Sequence, residues 1–412
     1  MSKANLNKNL LFLFFISTGF HTLFNPGGIL PFSLIFGLLI ALNLIFFTNY
    51  TLNTTIPKLT YLDILLFSFL LNSIFSFVLS TSNRNINHLY SHFTVILIFY
   101  YSIRVFISIN REFITNYIIL NSLYYAFLLI SLSVILDQSL LAIGINLADY
   151  LPMETSNLLV GVGIFTRARG FFVEPTDLAL GINTYAPIVL SFLIMIKKMK
   201  KFYIVLLLYL LILILTRSTA GFVEVFVGIF ICLLDVFFNF LFKKNFSFKL
   251  TKKGLNQFFL IIIFLISIFF ILIEPLSTAI GEAYQKLNFT KESSGDVRAV
   301  YWNDTLNLFF NSNNILTGYG TGYTSFNQKT FNWYLTVLIE NGILGFLIIT
   351  FLFIFLFKKI ISLKSNLKYG FYIAAISAIL HLTTQTGFYY PFLWLIIVLA
   401  QINWDNQDYY KA

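Results

Sequence analysis

Charge is scarce in this chain. Of its 412 residues, 11% are Asp, Glu, Lys or Arg, while 58% are hydrophobic. Soluble domains carry about 25% charged residues, so a soluble single-core protein is excluded. There is one cysteine, Cys232. An intramolecular disulfide and a cysteine-built metal site are excluded with it, and its apolar neighbours make Cys232 a packing residue. Histidine occurs only at His21, His88, His92 and His381. There is no H-E-x-x-H, and no ligand set at metal spacing, so neither a metal nor another cofactor is expected. No fixed-period repeat or low-complexity tract is present, which sets aside disordered and collagen-like classes.

What the chain has instead is apolar length. It contains 50 Phe and has a mean hydropathy of +0.83. Apolar runs cover roughly 10–24, 29–48, 61–80, 88–109, 113–136, 176–196, 202–216, 218–242, 255–273, 331–357, 367–385 and 386–403. A helical span needs about 20 apolar residues. The expected fold is therefore an all-α polytopic membrane protein, a single domain with about twelve transmembrane helices. The first run follows Lys3 and Lys8 like a leader, but no A-x-A-like cleavage site follows it, and Asn25-Pro26-Gly27-Gly28 reads as a turn. It counts as the first helix.

The net charge is +10, which in a soluble protein would hint at nucleic acid. Here the positive-inside rule accounts for it. With both termini cytoplasmic, 17 of 20 Lys fall in cytoplasmic segments. Five of seven Arg (Arg84, Arg167, Arg169, Arg217 and Arg298) fall outside or at the outer boundary, against that rule. Two external connections are long, approximately 137–175 and 274–330. With Asp177 just past the first, they account for ten acids, Glu174 among them. Long loops of this kind tend to be functional.

Four constellations stand out. Arg167-Ala168-Arg169-Gly170 precedes Glu174-Pro175-Thr176-Asp177, a helix start that doubles as an anion site, since guanidinium binds phosphate bidentately. Thr216-Arg217-Ser218-Thr219-Ala220-Gly221 is a polar break between runs. There Arg217 either snorkels to the interface or pairs with Glu224, two turns on. Asp296 to Trp302 leads to Gly318-Tyr319-Gly320-Thr321-Gly322-Tyr323. No Gly-Lys-Ser/Thr follows, so this is not a Walker loop. Its glycines allow sharp turns or close approach, and Tyr319 and Tyr323 are positioned to stack on sugar rings. Last comes Asn332, then Glu340-Asn341-Gly342-Ile343-Leu344-Gly345, where small residues favour close helix packing and Glu340 reads as structural. His88 and His92 share a helical face and read as an interfacial pair or a source of one general base.

In this order the motifs resemble the O-antigen polymerase (Wzy) and O-antigen ligase superfamily, over about residues 160–346. The resemblance implies transfer of lipid-linked sugar on the external (periplasmic) face of the bacterial inner membrane. The substrate implied is an undecaprenyl-pyrophosphate-linked oligosaccharide. Arg167 and Arg298 align with family arginines, and with Arg169 and Arg217 they are the expected pyrophosphate-binding set. Trp302, Tyr319 and Tyr323 are glycan-contact candidates; Glu174, Asp177 and His88 are candidates for the base. Ligases carry a His before the Asn that opens the next helix. Phe331 stands there, which favours a metal-independent polymerase of surface polysaccharide, with a chain-length regulator protein as a further partner. The alternatives are a ligase, a transferase of the acidic-motif kind, and a flippase or transporter. The acidic motif is absent from the first external loop, Thr22 to Gly28, and a transporter would show two related halves. Reporter fusions after Lys253 are expected to give a cytoplasmic signal and fusions at Gly295 an external one; reversed signals discard this topology.

Overall fold

The computed structural model describes residues 3–19, 31–47, 57–145, 167–172, 174–242, 294–312, 314–327, 330–363, 367–386 and 388–404. These form helices α1 (Lys3–Thr18), α2 (Phe32–Leu42), α3 (Tyr61–Leu79), α4 (Ile86–Phe93), α5 (Ile103–Ile109), α6 (Asn116–Ala142), α7 (Pro175–Met195), α8 (Met199–Thr216) and α9 (Thr219–Phe242). There follow α10 (Ser294–Phe310), α11 (Thr324–Asn327), α12 (Trp333–Ile361), α13 (Leu367–His381) and α14 (Pro391–Ala400). Wider π turns, Asn43–Phe47 and Thr94–Ser102, extend α2 and join α4 to α5. No strand occurs among the described residues. The chain divides into two compact units, residues 1–228 with 301–412, and residues 229–300.

Among the described residues, six helices are long and apolar enough to cross a membrane: 61–79, 86–109, 116–142, 175–195, 199–216 and 333–361. Three shorter apolar helices, Phe32–Phe46, Leu367–His381 and Pro391–Ala400, accompany them. The expected span at 255–273, residues 146–166 of the first expected long loop and residues 274–293 of the second lie outside the described residues. The first of those loops starts later than its sequence suggested, because α6 continues to Ala142 and takes Asp137 with it. Large apolar side chains such as Phe75, Leu79, Leu207 and Phe351 remain exposed on the long helices. Such faces suit lipid and would be a liability in water.

Helix ends are set by local chemistry. Thr60 opens α3 with a capping box, its side chain taking the Asp63 N–H while Asp63 takes the Thr60 N–H. Pro175 sits in the first turn of α7, where its missing N–H costs nothing. Arg217 closes α8 in the left-handed conformation, φ 47°. Helix α7 is the most enclosed of the long helices. Pro187 within it leaves the Asn183 carbonyl without its helical donor, and α13 packs close against α7 at Gly370, where a Cβ would come within 2.5 Å of the Pro187 oxygen.

In the larger unit the polar side chains collect at two ends. At one, Asn7 donates to Asn110 at 2.6 Å. Asp63, fully buried, pairs with Arg104 and accepts from Tyr100. Gln401 donates to that tyrosine at 2.8 Å. Arg111 reaches the Asn403 carbonyl at 2.9 Å. The other end carries the arginines, acids and histidines taken up in the next section.

One long helix is broken at that second end. Within α12, Gly342 has φ 69° and ψ −172°. The interrupted backbone is satisfied by the glycine-rich segment beside it. Tyr319 N–H donates to Ile339 O at 2.8 Å, Gly320 N–H to Glu340 O at 3.0 Å, and Ile343 N–H to Ile315 O at 2.9 Å. Irregular backbone at this depth is tolerated only where protein supplies such partners. The Gly-x-Gly-x-Gly run is therefore a strap across a broken helix. Gly342→Ala would strain a left-handed position and drive a Cβ into the Leu316 carbonyl. A loss of about 1–3 kcal/mol is expected, read as a lowered Tm in detergent; an unchanged Tm would mean the break does not exist.

Candidate functional site

The Arg-x-x-Gly segment lies along the end of α8. Ala168 N–H donates to Leu215 O at 2.9 Å, and Arg167 Nε to Thr216 O at 3.1 Å. Gly170 N–H donates to Asp137 Oδ2 on α6 at 3.2 Å, and Arg169 attracts the same carboxylate. Glycine is required at 170 because φ is +55° and a Cβ would stand 2.8 Å from Ser133 Oγ. Arg217 projects from the adjoining turn and is exposed. Three of the four expected arginines thus surround one turn. The fourth, Arg298, lies on α10 in the second unit.

Glu224 does not turn to Arg217. It is buried and pairs with His381 Nδ1 at 3.0 Å. Its other oxygen accepts from Asn183 Nδ2 at 3.1 Å, and Tyr209 donates to Asn183 Oδ1 at 3.0 Å. Asn183 also donates to Gly221 O at 3.0 Å. Gly221 N–H donates to Ser218 Oγ at 3.1 Å, and Ser218 N–H to Thr216 Oγ1 at 3.3 Å. A continuous hydrogen-bonded path therefore runs from His381 to the residue that Arg167 grips. Asp177, 5% exposed, accepts from Tyr390 at 2.8 Å, with His381 Nε2 at 3.8 Å. Glu174 is more open; it accepts from Thr176 at 3.1 Å and from Gln385 at 3.0 Å.

His88 and His92 do not act as a pair. His92 is buried between the rings of Phe69 and Phe388. His88 Nδ1 lies 3.1 Å from Glu340 Oε1, and its Nε2 lies 2.9 Å from Ser325 Oγ. Glu340, 1% exposed, also accepts from the Thr324 N–H at 3.0 Å and the Thr324 hydroxyl at 2.6 Å. Glu340 read from sequence as a structural residue paired with another polar group; the partner, 252 residues away, is His88. Tyr319 and Tyr323 stack on each other, centroids 4.8 Å apart, which leaves each one free face at most for a sugar. Burial, with Tyr319 adding, raises the Tyr323 phenol above its ordinary range, so it stays neutral and a hydrogen-bond donor. Trp302 donates its indole N–H to Thr330 O at 2.8 Å. Among the described residues no group of three His, Cys, Asp or Glu is arranged to hold a metal ion.

A polytopic helical protein with a guanidinium cluster and buried acid–histidine pairs at one end is the class these features define. Residues 204–350 match the O-antigen ligase family (Wzy_C). The match spans the Arg217 break, the glycine strap, Asn332 and Glu340. Over those residues the chain is similar to the O-antigen ligase family, which supports the O-antigen ligase and polymerase superfamily. No curated protein matches the chain.

Removing the Glu224 carboxylate should loosen this end. Glu224→Leu strands buried donors on His381 and Asn183, each worth about 1–3 kcal/mol when orphaned, whereas Glu224→Gln keeps hydrogen-bonding capacity. Thermal unfolding in detergent is expected to rank wild type above Glu224→Gln and that above Glu224→Leu. A Leu variant as stable as wild type would deny the path any structural part.

Proposed function

We propose that the chain is a polymerase of O-antigen or a related surface polysaccharide, joining undecaprenyl-pyrophosphate-linked oligosaccharide repeats at the periplasmic face of the bacterial inner membrane. A hydroxyl of the acceptor repeat attacks the anomeric carbon of the donor. The bond to pyrophosphate breaks, and the lipid pyrophosphate leaves with the charge. The observation that carries this reading is the gathering of Arg167, Arg169 and Arg217 at one turn of the polar end. Preorganised guanidinium groups stabilise charge that develops on a leaving group, with no metal required. Arg298 enters through its motif. Glu174, the more accessible carboxylate of that end, is the candidate for taking the acceptor's proton, and departing pyrophosphate leaves little work for a strong base. Both termini are cytoplasmic in this topology, and a chain-length regulator protein is the expected partner.

The choice of polymerase over ligase rests on position 331. Phe331 adopts φ 48°, its ring tilted against Tyr301 at 5.8 Å. The next residue, Asn332, caps α12 by accepting the Leu335 N–H at 3.1 Å. A phenyl ring takes no proton. The ligase reading keeps the support of the matched family's own description, and the two separate by phenotype. A deletion strain with one repeat per lipid anchor marks a polymerase. Accumulated lipid-linked chains mark a ligase, and single repeats retained in the cytoplasm mark a flippase.

The arginines give the sharper test. A charge-assisted bond contributes roughly 1.5–3 kcal/mol, and about 1.36 kcal/mol is tenfold in rate. Losing one in the transition state should slow turnover by roughly ten- to over a hundredfold. Lys keeps the charge but loses the planar fork. Arg167→Lys and Arg298→Lys should therefore shorten polymer almost as severely as the alanine variants, at normal membrane levels. Wild-type chain lengths in both alanine strains would return these residues to interfacial anchoring.

A further inference from the structure

Glycosyl transfer as proposed leaves the His88 cluster unused. Two stretches far apart in sequence meet there: the start of α4, and the short helix α11 with the first turns of α12 that follow it. Glu340 is a buried acceptor held in place by Thr324. Facing His88 Nδ1 at 3.1 Å, it fixes the tautomer with the proton on Nδ1. Nε2 is then an acceptor, and the hydrogen bond at 2.9 Å has Ser325 Oγ donating to it. Ser325 is exposed, and His88 is partly open, 28% on its side chain. The Ser325 N–H has no acceptor among the described residues. A hydroxyl on Nε2, an acid on Nδ1 and a free amide beside the hydroxyl are the relations by which a serine-nucleophile constellation is recognised, whatever the fold.

We propose that Ser325, His88 and Glu340 form a nucleophilic site for carboxylic esters, separate from the arginine cluster. Ser325 Oγ attacks the ester carbonyl while His88 Nε2 takes its proton. The Ser325 N–H meets the carbonyl oxygen. The ester C–O bond breaks, and His88 returns the proton to the departing alcohol. Water then attacks the acyl-serine, giving its proton to His88. The acyl–Oγ bond breaks, Ser325 recovers its proton from His88, and the carboxylic acid is released. Ser325 and His88 are the catalytic residues and Glu340 a positioning residue. The ester is borne either by an acylated sugar or by a lipid, since both reach this end of a membrane protein.

The test uses the full-length protein in detergent and a fluorophosphonate probe, with the labelled residue found by mass spectrometry. Phosphonylation of Ser325 is expected, absent in Ser325→Ala and lost in His88→Ala. Glu340→Gln should slow labelling by up to about 10⁴-fold, the loss seen when the acid of such a triad cannot hold its histidine, and Glu340→Asp should recover part of it. Ser325 is exposed, so its alanine variant should fold normally. Acetate release from glucose pentaacetate marks a sugar-borne ester, and octanoate release from dioctanoylglycerol a lipid-borne one; both depend on Ser325. A folded wild type unlabelled at Ser325, labelling that survives His88→Ala, or release of neither acid overturns the proposal. So does an unlabelled Ser325 in a protein whose polymer synthesis fails on His88→Ala, which would make His88 the base of glycosyl transfer instead. Labelling does not require polymer synthesis, so this proposal and the polymerase reading fail separately.

Discussion

A polar group surrounded by hydrocarbon must find its partner within the protein, because no water is there to substitute. The break at Gly342 is where that constraint bears hardest. Interrupting α12 leaves carbonyls and amides of residues 339–344 without helical partners, and residues 315–320 supply them. The strap then fixes what lies along it. Gly320 is pressed against Ser76 and Ser80 of the α3 end, and Gly322 against Asn85 before α4. Thr321 donates to the Ser73 carbonyl at 2.9 Å. Asn341 bridges Ser73 and Thr321, each at 3.1 Å. The position of Glu340, and through it of His88, follows from the same repair.

The helical class was legible because apolar length is a property of sequence alone. The helix starts at Pro175 and Asn332 were legible too, since capping acts over three or four residues. Partnership was not. Glu224 looked two turns back to Arg217, but its partner is a histidine on α13, and no local rule connects residues 157 apart. The glycine run suggested close approach without saying to what; the object proved to be the protein's own backbone. His88 and His92 were rightly placed on one helical face but wrongly joined. His92 is buried against Phe69 and Phe388, whereas His88, one turn away, faces Glu340 and Ser325.

Arginine use against the expected positive-inside bias singled out Arg84, Arg167, Arg169, Arg217 and Arg298, of which Arg167, Arg169 and Arg217 lie by one turn. The structure adds why two of these positions hold. Arg167 grips the carbonyl of the residue before Arg217, and Gly170 lets the segment turn under Asp137. The buried pair at Asp63 and Arg104 is the counterpart at the opposite end, where an arginine ties helices together.

The two buried acids also differ in when they can be neutralised. Asp63 meets Arg104 after 41 residues, so adjacent helices can enter the bilayer already matched. Glu224 waits for His381, 157 residues later. While the chain is being made, α9 must hold an unmatched carboxylate, or take it up as the neutral acid, until α13 arrives. The arginine turn is wired to that pair through Asn183, Gly221 and Ser218. Its final geometry is therefore set late in synthesis, and truncations that stop short of α13 should insert yet lack the finished turn.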